Sequence, residues 1–295
     1  MSIKIAFLDF WGDFDPHNNF FKDLLASISD VEVTDPHACD VLFFSCFGQQ
    51  NLAYRNKKRI YFTGENLRPS YDVDRVDHRG FRSDKCDYSL SFDFSEDPRN
   101  IRLPLWMLQI DWFNKKGYVN PKFVMPYDQL HDNLLMRRER TEFCSFVYNN
   151  DAPHRKEIVQ ELSRYKKVDC FGKPHGNWFY GEDNKLATLS RYKFNICFEN
   201  SIHPGYYTEK PIHAKYAGCV PVYWSDADMG IDFNAAAYLN LNDFAGIKEL
   251  CERIVELDQD DQQYEALRSR PMFTLQQDPK HLLDAIVDQL KPILT

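Results

Sequence analysis

Several sequence signatures are missing from this chain, and each absence removes a class of function. No two of the eight cysteines are spaced as Cys-x-x-Cys, and the nine histidines contain no His-x-x-x-His pair. A zinc site is therefore not indicated. The motifs Gly-x-Gly-x-x-Gly, Gly-x-x-x-x-Gly-Lys-Ser/Thr and Gly-x-Ser-x-Gly are also missing. Dinucleotide-dependent dehydrogenases, P-loop NTPases and serine hydrolases thus lose their main sequence support.

The chain also lacks an excess of positive charge and a long apolar run. Its 36 Lys and Arg stand against 44 Asp and Glu, a formal net charge of -8. Because nucleic-acid binding depends on neutralising phosphates, we expect no nucleic-acid partner. No stretch of about 18 apolar residues and no signal peptide are found. We therefore expect a soluble chain without a transmembrane segment, with room for peripheral membrane contact.

The cysteines indicate the compartment. Cys46, Cys197 and Cys219 lie inside apolar runs typical of buried strands. Buried reduced thiols belong to a reducing environment, because disulfides form in oxidising ones. We expect a cytoplasmic protein, with membrane association left open.

What is present is a regular alternation of short apolar runs and helix-like segments. In the first half, runs at 3–10, 41–45 and 59–63 predict buried strands, and 19–28 has helical spacing. Gly117, Pro121 and Pro126 then interrupt the pattern. The alternation restarts with predicted strands at 143–148, 167–171, 194–198 and 220–224, with helices between them.

This alternation predicts two α/β domains, each with a parallel sheet covered by helices. We expect one Rossmann-like domain over residues 1–137 and a second over 138–275, facing each other across a cleft. A helix within 276–295 is expected to pack back on the first domain. Nucleotide-sugar transferases, periplasmic binding proteins and some kinases share such an architecture, so fold alone decides little.

The most informative segment runs from residue 193 to 224. A predicted strand ends at Glu199-Asn200, and a predicted helix opens at Thr208-Glu209-Lys210-Pro211. Thr is a good N-cap, and Pro is tolerated in the first turn. A helix start after a strand attracts anions, and Lys210 adds a full positive charge. A pyrophosphate would fit there, although many α/β helices begin in this way without a ligand.

The same segment closely resembles the signature of the α1,3/α1,4-fucosyltransferase family. The matching stretches are Ile-Cys-Phe-Glu-Asn at 196–200, Tyr-Tyr-Thr-Glu-Lys at 206–210 and Pro-Val-Tyr-Trp at 221–224. Pro211 stands where the family usually has an aliphatic residue, and Ser225 stands where it often has Gly. Neither departure falls on a residue that the assignment needs.

Four further stretches extend the resemblance to roughly residues 5–245. They are Trp-Gly-Asp at 11–13, Thr-Gly-Glu-Asn at 63–66, Arg-Leu-Pro-Leu at 102–105, and Phe-Val-Tyr-Asn-Asn at 146–150, which is followed by Arg155. The resemblance implies a fold of the GT-B type, with residues 1–137 on the acceptor side and 138–275 binding GDP-fucose.

The resemblance further implies an inverting transfer of L-fucose from GDP-β-L-fucose to GlcNAc in a lactosamine-type glycan, giving Lewis-type products with an α1,3 linkage. Glu65 is the predicted general base, because a sugar hydroxyl is a poor nucleophile at neutral pH. Trp11 and Asp13 are predicted to meet the acceptor. Predicted donor-binding residues are Asn149, Arg155, Glu199, Asn200, Tyr206, Glu209 and Lys210, with Arg155 and Lys210 on the phosphates.

A metal is not expected to be obligatory, and Mn²⁺ or Mg²⁺ would act only as a helper. The Asp-x-Asp motif of metal-dependent transferases occurs four times in this Asp-rich chain, once at Asp226-Ala227-Asp228, so it carries little weight. Two alternatives stay open at this stage. One is a GT-B glycosyltransferase with another nucleotide sugar, and the other is a non-catalytic glycan- or nucleotide-binding protein.

Overall fold

The structure is a computed structural model, and it describes residues 2–66, 86–130, 139–177 and 182–294. The chain divides into two compact units. Unit 1 comprises residues 1–108, 117–121 and 279–295, and unit 2 comprises 109–116 and 122–278. The predicted boundary at residues 137 and 138 lies outside the described residues and stays a prediction.

Unit 1 is built on a six-stranded parallel sheet with the order β2-β1-β3-β4-β5-β6. Its central strand β3 reads Val-Leu-Phe-Phe, and all four side chains are buried. Such unbroken apolar strands are typical of parallel sheets covered on both faces. The strands are β1 (Ile3–Leu8), β2 (Val31–Val33), β3 (Val41–Phe44), β4 (Lys58–Thr63), β5 (Tyr88–Ser91) and β6 (Asn100–Arg102).

Two α-helices lie in the described part of unit 1. Helix α1 (Phe20–Ala26) begins after Asn19, whose side chain accepts a hydrogen bond from the Lys22 backbone N–H at 2.9 Å. The C-terminal helix, Pro279–Leu294 (α7 in chain order), buries Leu283, Ile286, Leu290 and Ile293 at helical spacing. Lys58 of β4 donates to the Ile293 carbonyl at 2.6 Å, so this helix is fastened to the sheet of unit 1.

Unit 2 is built on a five-stranded parallel sheet with the order β10-β9-β11-β12-β13, beside a short parallel pair, β7 and β8. The strands are β7 (Ile110–Asp111), β8 (Met125–Pro126), β9 (Glu142–Val147), β10 (Val168–Phe171), β11 (Tyr192–Ile196), β12 (Val220–Tyr223) and β13 (Leu239–Asn240). The helices are α2 (Pro153–Leu162), α3 (Glu182–Leu189), α4 (Lys210–Tyr216), α5 (Ile247–Gln259) and α6 (Asp261–Arg268). Among the described helices, none has both the length and the apolar character needed to cross a bilayer.

Both sheets reverse their strand order at one point. In unit 1 the reversal falls between β1 and β3, and in unit 2 it falls between β9 and β11. Connections leave such a switch point in opposite directions, which opens a crevice beyond the carboxyl ends of the two strands. The two parallel α/β units confirm the predicted Rossmann-like fold class, and the switch points mark where ligand-binding side chains should be sought.

At the switch point of unit 1, one buried carboxylate ties β1 to β3. Asp9 follows β1 with a φ of 61°, in the left-handed region. Its oxygens accept hydrogen bonds from the Gln50 N–H at 3.0 Å, the Asn51 N–H at 2.9 Å and Asn51 Nδ2 at 2.7 Å. Gly48 packs directly against this carboxylate, since a Cβ there would lie 3.1 Å from Asp9 Cγ and closer still to Oδ1.

Gly48→Ala should therefore destabilise the protein by about 1–3 kcal/mol, the usual cost of overpacking a filled site. Urea unfolding followed by tryptophan fluorescence measures the change. Gly12→Ala is the matched control in the same unit, because a Cβ on Gly12 would meet no heavy atom of the described chain within 4 Å. An equal loss in both variants would contradict the packing argument.

Candidate active site

Arg155 lies at the switch point of unit 2 and joins the ends of β9 and β11. It sits in the first turn of α2 and is 1% exposed. Its guanidinium donates to the Asn150 carbonyl at 2.7 Å, to the Phe198 carbonyl at 2.8 Å and to Asn200 Oδ1 at 2.7 Å. Its Nε is buried and has no hydrogen-bond partner among the described residues. A donor of this kind is available to an anion.

The charge on Arg155 is held by neutral oxygens. Burial lowers the pKa of the guanidinium, and the nearby Glu199 carboxylate acts in the opposite direction. The carbon at its centre lies 5.5 Å from the Tyr148 ring centroid, within range for a cation–π interaction. Arg155 remains charged because arginine does not lose its proton in proteins. A buried positive charge therefore lies at the carboxyl edge of the sheet.

Glu199 follows β11 and is completely buried. One carboxylate oxygen accepts from the Thr208 N–H at 3.1 Å, Thr208 Oγ1 at 2.7 Å and Tyr223 OH at 2.7 Å. The other oxygen forms an ion pair with Lys210 Nζ. This carboxylate thus connects β11, the start of α4 and β12. The predicted contact between Glu199 and the donor stays a prediction, and the geometry gives Glu199 a positioning role.

Lys210 is the second cation of the site. Besides Glu199, its Nζ donates to Thr208 Oγ1 at 2.9 Å. Two of its three N–H groups are thus used by Glu199 and Thr208. Burial by itself would lower the pKa of Lys210, but Glu199 and Glu209 outweigh burial and raise it. Lys210 is therefore a permanent positive charge beside the switch point.

The predicted helix start at Thr208 is wrong by two residues. Helix α4 begins at Lys210, its N-cap is Glu209, and the Glu209 side chain makes no capping hydrogen bond. The Thr208 hydroxyl donates to Glu199 and accepts from the Lys210 backbone N–H at 3.5 Å. Thr208 therefore keeps the contact to the helix terminus that the sequence pattern predicts, and it also holds the buried Glu199 carboxylate.

Asp226 fixes the loop that precedes α4. Its carboxylate accepts from Tyr207 OH at 2.7 Å, the Gly205 N–H at 3.0 Å and the Asp228 N–H at 3.0 Å. Tyr206 is 4% exposed, and its carbonyl accepts from Ser225 Oγ at 3.3 Å. Asp226 thus anchors a loop, and the described residues contain no group of three or more potential metal ligands.

The two predicted asparagines are exposed and differ in their partners. Asn200 Oδ1 accepts a hydrogen bond from Arg155, so Asn200 contacts the guanidinium directly. Asn149 follows β9, and its Oδ1 accepts from the Lys173 N–H at 3.3 Å. Glu209 is partly exposed, and its Oε1 lies 3.9 Å from Lys185 Nζ. The structure thus gathers the predicted donor residues around the ends of β9 and β11.

The predicted acceptor residues and the predicted base lie at the carboxyl edge of unit 1. Trp11 follows β1 and contacts the rings of Phe10 and Phe14, with centroids 5.6 and 5.2 Å away. Asp13 is exposed and accepts from Asn120 Nδ2 at 3.0 Å. Glu65 follows β4 and is partly buried. Because β3 separates β1 from β4, Glu65 and Trp11 follow strands about 10 Å apart in one sheet.

The position of the Glu65 backbone is fixed by contacts at the end of β4. Its backbone N–H donates to Thr63 Oγ1 at 3.1 Å, and the same hydroxyl donates to the Glu65 carbonyl at 3.3 Å. Gly64 between them packs against Leu105, since a Cβ there would lie 3.2 Å from Leu105 Cγ. The Thr-Gly-Glu-Asn stretch therefore forms a tight turn that fixes the backbone of Glu65.

Several residues of the site were not found by sequence reasoning. Tyr223 and Thr208 lie inside the quoted motifs, but their role as donors to Glu199 depends on contacts across strands. Lys185 and His213 carry no motif, and their contact joins residues 28 positions apart. A polar residue one turn after Glu209 was the only available signal for His213.

Two parallel α/β units with polar side chains at their carboxyl edges make up the fold of GT-B glycosyltransferases, the fold class predicted from the sequence. The family model "Alpha-(1,3)-fucosyltransferase FucT N-terminal domain" matches residues 5–109. The family model "Glycosyltransferase family 10 (fucosyltransferase) C-term" matches residues 136–274. The chain belongs to glycosyltransferase family 10, the fucosyltransferases.

Individual relatives agree with this assignment. The chain is 29% identical to the alpha-(1,3)-fucosyltransferase FucT of Helicobacter pylori over 308 residues, which cover 92% of this chain and 61% of the relative. It is 35% identical to the 4-galactosyl-N-acetylglucosaminide 3-alpha-L-fucosyltransferase FUT6 of Homo sapiens over 159 residues, 52% of this chain and 43% of the relative. The match thus spans less than two thirds of either relative.

A solved structure covers nearly the whole chain. The crystal structure of an alpha1,3-fucosyltransferase with GDP-fucose matches with a TM-score of 0.70 at 26% identity. The match covers 99% of this chain and 90% of the other chain. Both units of the present chain therefore have counterparts in that protein.

The buried ion pair allows a test of the site's construction. Lys210→Met should destabilise the protein by about 3–5 kcal/mol, because it leaves the Glu199 carboxylate buried without its cation. Adding Glu199→Gln to Lys210→Met removes that charge and keeps an oxygen for Thr208 and Tyr223. The double variant should regain most of the loss in urea unfolding. If both variants were equally unstable, the ion pair would not be the cause.

Proposed function

We propose that the chain is an inverting fucosyltransferase that moves L-fucose from GDP-β-L-fucose to a hydroxyl of N-acetylglucosamine in a lactosamine-type glycan, with an α1,3 linkage. The observation that carries the proposal is the pair of cations at the switch point of unit 2. Arg155 and Lys210 lie within the region that the family model matches. A hydrogen bond to the Phe198 carbonyl helps to hold Arg155, and an ion pair with Glu199 holds Lys210. The GDP-fucose complex of the structural relative supports the donor.

In the proposed donor site, Arg155 and Lys210 bind the diphosphate. As the bond between the fucose anomeric carbon and the β-phosphate oxygen breaks, its electron pair moves onto GDP. Cations that are already in place stabilise this charge without reorganising. Asn149, Asn200 and Tyr206 are proposed as donors to phosphate, ribose or fucose. Glu209 suits a sugar hydroxyl, since a carboxylate beside a diphosphate would be repelled.

In the proposed acceptor reaction, Glu65 takes the proton of the attacking hydroxyl. The hydroxyl oxygen forms a bond to the anomeric carbon on the face opposite GDP, so the β-linked donor gives an α-linked product. Trp11 and Asp13 are proposed to contact the acceptor glycan. The name of the human relative, a 4-galactosyl-N-acetylglucosaminide 3-alpha-L-fucosyltransferase, supports the choice of acceptor and linkage.

The proposal includes no obligatory metal, because Arg155 supplies positive charge that a metal would otherwise bring and Lys210 adds an oriented donor. Mn²⁺ or Mg²⁺ would then only stimulate the reaction. None of the eight cysteines, all among the described residues, forms a disulfide, and seven of them are buried. These reduced thiols support a reducing compartment such as the cytoplasm as the site of action.

The donor can be tested by thermal unfolding. GDP should raise the melting temperature in a buffer that contains EDTA, because a ligand that binds only the folded state stabilises it. UDP at the same concentration should raise the melting temperature much less, since guanine is proposed to be recognised. Equal shifts from both nucleotides would point to another donor. A GDP shift that appears only with added Mn²⁺ would contradict the metal-free diphosphate site.

The general base can be tested with Glu65→Gln. The variant keeps the shape of the side chain but cannot accept a proton, so transfer from GDP-fucose should fall by about 10²–10⁴-fold. GDP affinity, measured by calorimetry, should stay unchanged because Glu65 is not assigned to the nucleotide. Glu32→Gln is the control, since Glu32 is an exposed residue of β2 in the same unit.

The two measurements on Glu65→Gln separate its roles. Loss of GDP binding would assign Glu65 to the donor site and remove it from acceptor activation. Transfer at the parental rate would exclude it as the base, and Glu209 and Asp13 would become the next carboxylates to replace.

A further inference from the structure

A small charged cluster lies beside the proposed donor site and contains two residues without an assigned role. Lys185 of α3 places its Nζ 3.1 Å from His213 Nδ1 and 3.9 Å from Glu209 Oε1. His213 stands four residues after Glu209, one turn along α4. One ammonium group thus contacts both the carboxylate and the imidazole.

The contact with Lys185 determines the tautomer of His213. An ammonium group can only donate, so His213 Nδ1 must accept and the proton of the neutral ring must be on Nε2. The residue is 1% exposed, and its Nε2 has no hydrogen-bond partner among the described residues. Burial and, next, the charge of Lys185 lower the pKa of His213 to about 3, against the opposite effect of Glu209. The ring is therefore neutral at physiological pH.

The Glu209 carboxylate is held by the positive charges of neighbouring lysines. Burial alone would raise its pKa, but the charges of Lys210 and Lys185 outweigh burial and lower it to about 2. The side chain makes no capping hydrogen bond to α4. The carboxylate is thus fully ionised, partly exposed and fixed mainly by its cationic neighbours. Its remaining lone pairs can accept hydrogen bonds from a ligand.

We propose that Lys185 is a positioning residue that holds the Glu209 carboxylate in place for a hydroxyl of the fucosyl group, while its hydrogen bond to His213 Nδ1 orients the ammonium group. The proposal rests on the function proposed above, which places the donor sugar beside Glu209. An exposed lysine–glutamate pair contributes little to stability. Here the Lys185 side chain is only 17% exposed, and it also donates a hydrogen bond to the buried His213. The cluster therefore differs from an exposed surface ion pair.

Lys185→Met tests the proposal. Without the ammonium group Glu209 loses its lateral partner, and the fucosyl hydroxyl is no longer aligned in the transition state. The kcat for fucose transfer at pH 8 should fall about tenfold, since a small misplacement at a reacting centre is costly. The Kd for GDP, which lacks the sugar, should stay within about twofold, a negligible free-energy change. Lys185→Arg keeps the charge and should restore most of the kcat.

Lys248→Met is the matched control. Lys248 lies on α5 in the same unit and pairs with Glu252 at 3.8 Å, but both side chains are well exposed. Removing its charge should leave kcat and the Kd for GDP unchanged. If Lys185→Met behaved like Lys248→Met, the proposal would be overturned. A parallel loss of kcat and GDP affinity would also overturn it, because Lys185 would then act on the diphosphate.

Failure of the proposed function can be recognised separately. The parent and Lys248→Met are assayed first with GDP-fucose, and absence of transfer and of donor hydrolysis in both would reject the function itself. Nitrogen-15 NMR of His213 in the ligand-free protein needs no activity. The neutral ring should carry its proton on Nε2 in the parent, because Nδ1 accepts from Lys185. A proton on Nδ1 would contradict the contact with Lys185.

Discussion

The structure of unit 2 depends on one completely buried carboxylate. Glu199 follows a central strand, where an ionised group without partners would be very costly. It receives hydrogen bonds from Thr208 and Tyr223 and an ion pair from Lys210. Satisfying this one charge therefore fixes where α4 begins, which way Lys210 points and how β12 is joined to the site. Arg155, which donates to the carbonyl of Phe198 just before Glu199, is placed by the same strand end.

The two units use one topology for different chemistry. Each sheet has its switch point after the first strand of the unit's main sheet, and each places polar groups beyond it. In unit 1 the carboxylate of Asp9 accepts hydrogen bonds from backbone and side-chain N–H groups. Aromatic rings and Glu65 follow neighbouring strands of the same sheet. In unit 2 the switch point carries cations. An aromatic edge with a carboxylate suits a sugar hydroxyl, and a cationic edge suits a diphosphate.

Sequence patterns predicted those parts of the fold that are local and apolar. The run at 41–45 predicts β3, and Pro153 marks the start of α2, because burial and helix starts leave local signatures. The edge strands β2 and β13 were not predicted, since three and two residues are too short to show a period. The bond from Thr208 to a buried carboxylate nine residues away was not predicted, because no local pattern records it. Lys185 and His213 were missed for the same reason, since their contact crosses two helices.

The local balance of charge explains how a chain with a net charge of -8 can offer an anion site. Lys210 is paired with Glu199, and Lys185 is paired with Glu209, so these four charges largely cancel. Arg155 donates only to neutral oxygens in its described hydrogen bonds, and its positive charge is not cancelled by a direct pair. In the proposed donor site, the attraction for a diphosphate therefore centres on Arg155, beside the ends of the neighbouring strands β9 and β11. The two paired lysines would contribute direction more than net charge, because each keeps its carboxylate and a defined orientation.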